Sequence, residues 1–164
     1  MVKRNIFLIL CLASITVFVS CSADKTDKNS KDELYEQGVR ASSDGKHEEA
    51  VIYYRKAVKE DKEFEDGWFK LGYAYERLNK FDDAVKSYTR VIELNEAAWD
   101  AWYSRGIAYA KQEKYGDALV NMIKANELNP NDARITDALA RLYRLTGKEK
   151  KAEEVLRRFR QQNR

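Results

Sequence analysis

The stretch Trp68-Phe69-Lys70-Leu71-Gly72-Tyr73-Ala74-Tyr75 decides the fold, because its pattern returns 34 residues later as Trp102-Tyr103-Ser104-Arg105-Gly106-Ile107-Ala108-Tyr109. Other columns share the period. Gly38 stands 34 residues before Gly72, and Tyr143 stands 34 residues after Tyr109. Ala50, Ala84, Ala118 and Ala152 form one column, Tyr54, Tyr88, Met122 and Leu156 a second, Lys46, Lys80, Lys114 and Lys148 a third. So many independent columns at one spacing mark an internal repeat, and a period of this size belongs to solenoids, propellers and arrays.

Composition narrows the choice. One Pro and seven Gly in 164 residues disfavour a turn-dense all-β sandwich or barrel. A charged fraction of 35% beside 44% hydrophobic fits soluble amphipathic helices, and ten Tyr with three Trp exclude disorder. A net charge of +3 is too small to point to nucleic acid.

The repeated columns resemble the tetratricopeptide repeat, whose signature is W-x2-L-G-x2-Y, then alanine, an aromatic, a second alanine and proline. The second repeat supplies Trp68, Leu71, Gly72, Tyr75, Ala84 and Tyr88. The third supplies Trp102, Gly106, Tyr109, Ala118, Met122, Ala125 and Pro130. The first has Leu34 for the tryptophan, then Gly38, Ala41, Ala50, Tyr54 and Ala57. The fourth departs early, at Thr136, Leu139 and Ala140, and keeps Tyr143, Ala152, Leu156 and Phe159. Lys62 and Glu96 replace the proline. The resemblance implies an all-α fold, an α-solenoid of four antiparallel helix pairs. The repeats are expected at 31–64, 65–98, 99–132 and 133–164, the last degenerate and self-capping.

The columns also have a physical reading. A helix of about fourteen residues is roughly 21 Å long. Gly38, Gly72 and Gly106 let the partner helix of each pair approach closely, while Trp68 and Trp102 fill the space between neighbours. No repeat buries its apolar face alone, so stacking makes one core. Asp44-Gly45-Lys46, Leu78-Asn79-Lys80 and Thr146-Gly147-Lys148 read as helix-ending turns, with Gly or Asn suited to a left-handed residue.

The N-terminus reads as an address. Lys3 and Arg4 precede an apolar run from Ile6 to Val19. That run falls short of the roughly 20 residues a membrane span needs, and reads as a secretory signal over 1–20. It ends at Phe18-Val19-Ser20-Cys21, which resembles the bacterial lipoprotein box, Phe18 departing from the usual Leu. The resemblance implies lipidation of Cys21, with at least two acyl chains, enough for stable anchoring. Residues 21–31 read as the lipidated cysteine and a polar tether. By the family's sorting rule, Ser22 favours the outer membrane. Cleavage removes Cys11 and lipidation occupies Cys21, so no free thiol is expected.

Charge is unevenly spread. Residues 133–164 carry a net of +6 and residues 21–132 a net of −5. The plain reading is a soluble cap formed by the last helix; the sharper one is an acidic-partner patch or head-to-tail self-association.

Little points to catalysis. His47 stands alone, where Phe81 and Tyr115 stand in later repeats, and reads as an aromatic substitute. No zinc site of ordinary composition, no other metal site and no cofactor is expected. No glycine loop cradles phosphate. The pairs Glu48-Glu49 and Asp82-Asp83 recur at one repeat position and suit the first turn of a helix. The chain is read as not an enzyme.

The resemblance implies that the first helices line a concave face. Its fifth positions are Tyr35, Phe69 and Tyr103, its ninth Val39, Tyr73 and Ile107. Part of their area belongs to the core, and the rest forms a groove for a peptide. Glu36, Lys70, Glu76, Arg77 and Lys111 form the rims, and Arg134, Arg141 and Arg144 extend the groove. The expected partner-binding set is therefore Tyr35, Val39, Phe69, Lys70, Tyr73, Arg77, Tyr103, Ile107, Lys111 and Arg141. One subfamily binds chaperone C-termini through a clamp of Lys and Asn. The matching positions here are Tyr35, Val39, Lys70, Asp100 and Ser104, of which one is basic, so that function is not expected.

Together these readings give a lipid-anchored interaction scaffold of the bacterial cell envelope, in the outer membrane facing the periplasm. Its partner is a protein or peptide, not nucleic acid. The alternatives are a structural, self-associating envelope protein and an auxiliary subunit of a cell-wall or secretion machine with no groove-bound peptide.

Overall fold

The computed structural model describes residues 30–164. The export segment, Cys21 and the tether up to residue 29 lie outside the described residues. Eight helices follow in order: α1 (Lys31–Ser43), α2 (His47–Glu60), α3 (Glu65–Arg77), α4 (Phe81–Leu94), α5 (Trp99–Lys111), α6 (Tyr115–Leu128), α7 (Ala133–Leu145) and α8 (Glu149–Gln162). The described fold is all-α. Every helix starts 34 residues after its counterpart in the preceding pair. At the N-terminal edge, Ser30 caps α1 by accepting from the Glu33 N–H, and Lys31 is already helical, its ammonium on Asp61. The last residue assigned to the tether is thus the first of the helical array.

The turn inside each pair repeats one hydrogen bond. Lys46, Lys80, Lys114 and Lys148 donate their N–H to the carbonyls of Ala41, Tyr75, Tyr109 and Tyr143. This closure needs a left-handed residue just before the lysine. Gly45 (φ 76), Asn79 (φ 57) and Gly147 (φ 72) supply it. In the third repeat Glu113 takes the position, at φ 60. The turns between pairs use a different device. The side-chain oxygens of Asp61 and Asn95 accept from the N–H groups of Glu63 and Ala97. Neither Glu113 nor this Asp/Asn device was part of the sequence reading.

Packing follows the columns. A Cβ added to Gly38 would fall 2.6 Å from the Tyr54 ring, and one on Gly72 would fall 2.7 Å from the Tyr88 ring. Tyr54 and Tyr88 are both 1% exposed, so glycine is what admits these rings between paired helices. Trp68 and Trp102 donate their indole N–H to the carbonyls of Lys62 and Glu96, at 2.9 and 3.0 Å. Those carbonyls belong to the positions where the family pattern has proline. Each helix packs on its sequence neighbours; α1 also touches α3, and α3 touches α5.

The fourth repeat is built differently. Thr136 and Ala140 stand in the tryptophan and glycine columns, and both are buried. Ile135 and Leu142 are buried where α3 carries Gly67 and Ala74 and α5 carries Ala101 and Ala108. These side chains are larger than those at the same places on α3 and α5, so the packing around α7 accommodates more volume.

Candidate partner-binding groove

The first helices α1, α3, α5 and α7 bring the expected groove residues to one side, but not into one continuous pocket. At the N-terminal end, Tyr35 packs edge-on against Phe64, with centroids 5.2 Å apart, and tilts against Tyr54 at 5.8 Å. Val39 packs on the same cluster. Phe69 lies 5.5 Å from Tyr88 and is shared between two buried clusters. These three are half-buried and hold α1 to α2 and α3 to α4. Burial raises the Tyr35 phenol above its ordinary value, with the Asp66 and Glu36 carboxylates adding to the effect. It pushes Tyr54 up to about 12.

On α3 the picture changes. Tyr73 is 44% exposed, one helical turn on from half-buried Phe69. Lys70 and Arg77 are exposed on the same helix. Glu76, read from the sequence as a rim residue, is half-buried and accepts from the Tyr88 hydroxyl at 3.1 Å. Burial is the main cause that raises its carboxyl; the bond to Tyr88 and the charges of Lys111 and Arg77 act in the opposite direction.

Between α5 and α7 the groove deepens into a cavity of about 560 Å³. Tyr103, Ile107 and Lys111 line it from α5, Arg141 from α7, and Met122 and Tyr115 from α6. These include four of the ten expected groove residues. Arg134 also lines the cavity, as the sequence reading had it, and is held by Asp132 at 2.6 Å. Arg144 instead pairs with Glu149 at 3.1 Å and is not among the lining residues.

Some lining residues were missed. Leu145, 65% exposed at the end of α7, is the clearest. Its signal was present, since Arg77 and Lys111 stand in its column and a leucine there is out of place. Asp137 was missed because it occupies the column of Tyr35, Phe69 and Tyr103, where an aromatic was the pattern. Asp137 adds one carboxylate among three cations, Lys111, Arg134 and Arg141.

A second polar feature was not foreseen. Arg105 donates to Asn121 Oδ1 at 2.7 Å and to Thr89 Oγ1 at 2.9 Å, and lies 4.7 Å over the Trp102 ring. It ties α5 to α4 and α6. Elsewhere, His47 opens α2 with its Nδ1 buried and without a hydrogen-bond partner among the described residues. No group of three or more His, Cys, Asp or Glu suited to a metal ion occurs among the described residues. No described helix is long and apolar enough to cross a membrane. The groove offers apolar area, a few cations and hydroxyls, which equip it to bind.

Comparison with known proteins agrees with this architecture. Two family models of the tetratricopeptide repeat match, one over residues 33–64 and one over 69–126, together more than half of the chain. No curated protein matches the sequence. Among solved structures, the first such domain of Spaghetti (RPAP3), bound to the HSP90 peptide SRMEEVD, is similar at 26% identity. The match covers 74% of this chain and 96% of that one, with a TM-score of 0.70. MamA from Desulfovibrio magneticus RS-1, residue 41 to the end, is similar at 21% identity over 82% of this chain and 76% of that one, with a TM-score of 0.76. The Arabidopsis OM64 domain is similar at 22% identity over 70% and 94%, with a TM-score of 0.67. Repeats of this kind are in general non-enzymatic modules that bind proteins or peptides. With its period, its paired helices and these matches, the chain belongs to the tetratricopeptide-repeat family.

Proposed function

We propose that this chain is an adaptor of the bacterial cell envelope, anchored by a lipid on Cys21, that holds a segment of another protein in the groove of its first helices. The observation that carries the binding reading is the cavity between α5 and α7. There Tyr103, Ile107 and exposed Leu145 lie beside Lys111 and Arg141. Apolar area flanked by cations suits an extended segment with apolar side chains and carboxylates. The HSP90 peptide bound by the Spaghetti domain has both, although the clamp positions differ here. The anchor rests on sequence alone: the apolar run Ile6 to Val19, Ser20 before Cys21, and the polar residues after it. By the same reasoning the protein sits in the outer membrane and faces the periplasm.

The test is photocrosslinking in intact cells from position 73 and position 107. A single captured partner, lost when Lys111 and Arg141 are both replaced by Glu, supports the reading; unchanged capture in that variant defeats it. Cys21→Ser releases the protein from the membrane fraction if the anchor is right. The variant set avoids Phe69, because its ring packs on Tyr88 and its loss would weaken the fold.

A second reading has its own observation, the +6 of residues 133–164 against the −5 of residues 21–132. It makes the protein a self-associating structural element. Molar mass that falls towards the monomer as salt rises would favour it.

A further inference from the structure

On the side of the second helices, a cleft of about 530 Å³ opens between α2 and α4. Trp68, Leu71 and Tyr75 of α3 form its floor. Its rim carries five cations, from Arg55 to Arg90, against one carboxylate, Asp83. Lys86 is 3.3 Å from Asp83, and Arg90 is 2.9 Å from Glu93. Arg55, Lys59 and Lys62 form no ion pair with another described residue.

The next repeat is an internal control. One period on, Arg105 stands where Leu71 stands. Its guanidinium covers Trp102 and bonds Thr89 and Asn121, so that junction has its cation built in. Glu93 and Glu96 stand there in place of Lys59 and Lys62. The first junction has the opposite arrangement. Its aromatic floor lacks the arginine cover, and its rim is positive. Asp83 and Glu93 offset Lys86 and Arg90, whereas Arg55, Lys59 and Lys62 repel one another, and an anionic partner relieves that repulsion. A cleft between two helices admits a protruding side chain, whereas a flat bilayer surface does not enter it.

We propose that this cleft docks an acidic peptide segment of a partner protein. One apolar side chain rests on Trp68 and Tyr75, and flanking carboxylates meet Arg55, Lys59 and Lys62. The site is separate from the groove between α5 and α7 and does not depend on it.

The test uses the full chain in neutral detergent micelles and the peptide Glu-Asp-Phe-Glu-Asp, blocked at both ends. The expected result is a saturable NMR shift of the Trp68 indole N–H, with affinity falling several-fold as salt rises from about 50 to 300 mM. Lys59→Glu with Lys62→Glu, which copies the charges of the next repeat, weakens binding at least about tenfold, or roughly 1.4 kcal/mol. Lys111→Glu with Arg141→Glu leaves it unchanged. Should the first pair disturb the helicity, Arg55→Gln with Lys86→Gln serves the same purpose and is expected to weaken binding in the same direction. The proposal is overturned by no Trp68 shift at millimolar peptide, by binding indifferent to the cleft charges, or by loss only in the groove variant. Binding to phosphatidylglycerol vesicles through Lys59 and Lys62, with no response to the peptide, also overturns it.

Discussion

Gly72 lies against the ring of Tyr88 so closely that a Cβ on it would fall 2.7 Å from Cε1. The ring cannot retreat, because Tyr88 is 1% exposed and its hydroxyl is held by Glu76. Gly106 occupies the same column, but its nearest side-chain neighbours are Asn121 Cβ and Met122 Cε, both at 3.3 Å. A methionine methyl yields, and Asn121 Cβ at 3.3 Å needs to shift by only a few tenths of an ångström, whereas a bonded tyrosine ring at 2.7 Å does not yield. Gly72→Ala is therefore expected to cost about 1–2 kcal/mol, overpacking exceeding the gain in helix propensity. Gly106→Ala should stay within about 0.5 kcal/mol of the parent, the two terms nearly cancelling. Urea midpoints of the two variants check the difference; equal losses would show that the column is not set by the facing ring.

Glu113 holds a left-handed backbone at φ 60 in the turn where Gly45 and Gly147 serve the first and fourth repeats. A side chain in that region costs about 1–2 kcal/mol, part of which glycine returns as unfolded-chain entropy. Glu113→Gly should raise stability by about 0.5–1 kcal/mol. The urea midpoint should rise with the slope unchanged, and a lower midpoint would contradict the strain.

Arg105 bridges three helices through Thr89, Asn121 and Trp102. Arg105→Ala removes two charge-assisted bonds and is expected to cost about 2–3 kcal/mol. Thr89→Val removes one of them and should cost about 1 kcal/mol. A double-mutant cycle measures the coupling; additive effects would mean that the two side chains do not support each other.

Glu76 carries a pH dependence. Burial raises its carboxyl above the ordinary value, so the folded chain holds that proton more tightly than the unfolded one. The favourable contribution of the protonated form is complete below the unfolded pKa and is lost as pH rises through the folded pKa. Glu76→Gln stays neutral throughout. The variant should match the parent at about pH 4 and be the more stable at about pH 7, as read by denaturant midpoints. A variant less stable at neutral pH would reverse the sign.

The fold was legible because each column is a single residue type at a fixed place. Glycine at 38 and 72, the tryptophans at 68 and 102, and the alanines at 50, 84, 118 and 152 each answer a local steric demand that recurs every 34 residues. The groove was legible only in part. Tyr103, Ile107, Lys111 and Arg141 do meet in one cavity, whereas Tyr35, Val39 and Phe69 spend much of their area on Tyr54, Phe64 and Tyr88. A helical position identifies a face but not how near the next helix stands.

What the sequence alone determined is thus the repeat, its helix pairs and the face on which the candidate residues lie. Tertiary structure decided where that face opens. Leu142 stands where α3 and α5 carry Ala74 and Ala108, and it lines the cavity between α5 and α7. Leu71 replaces Arg105, and a cleft stays open over Trp68. Both openings depend on the volume left between packed helices, a quantity that belongs to pairs of elements and is written in neither one alone.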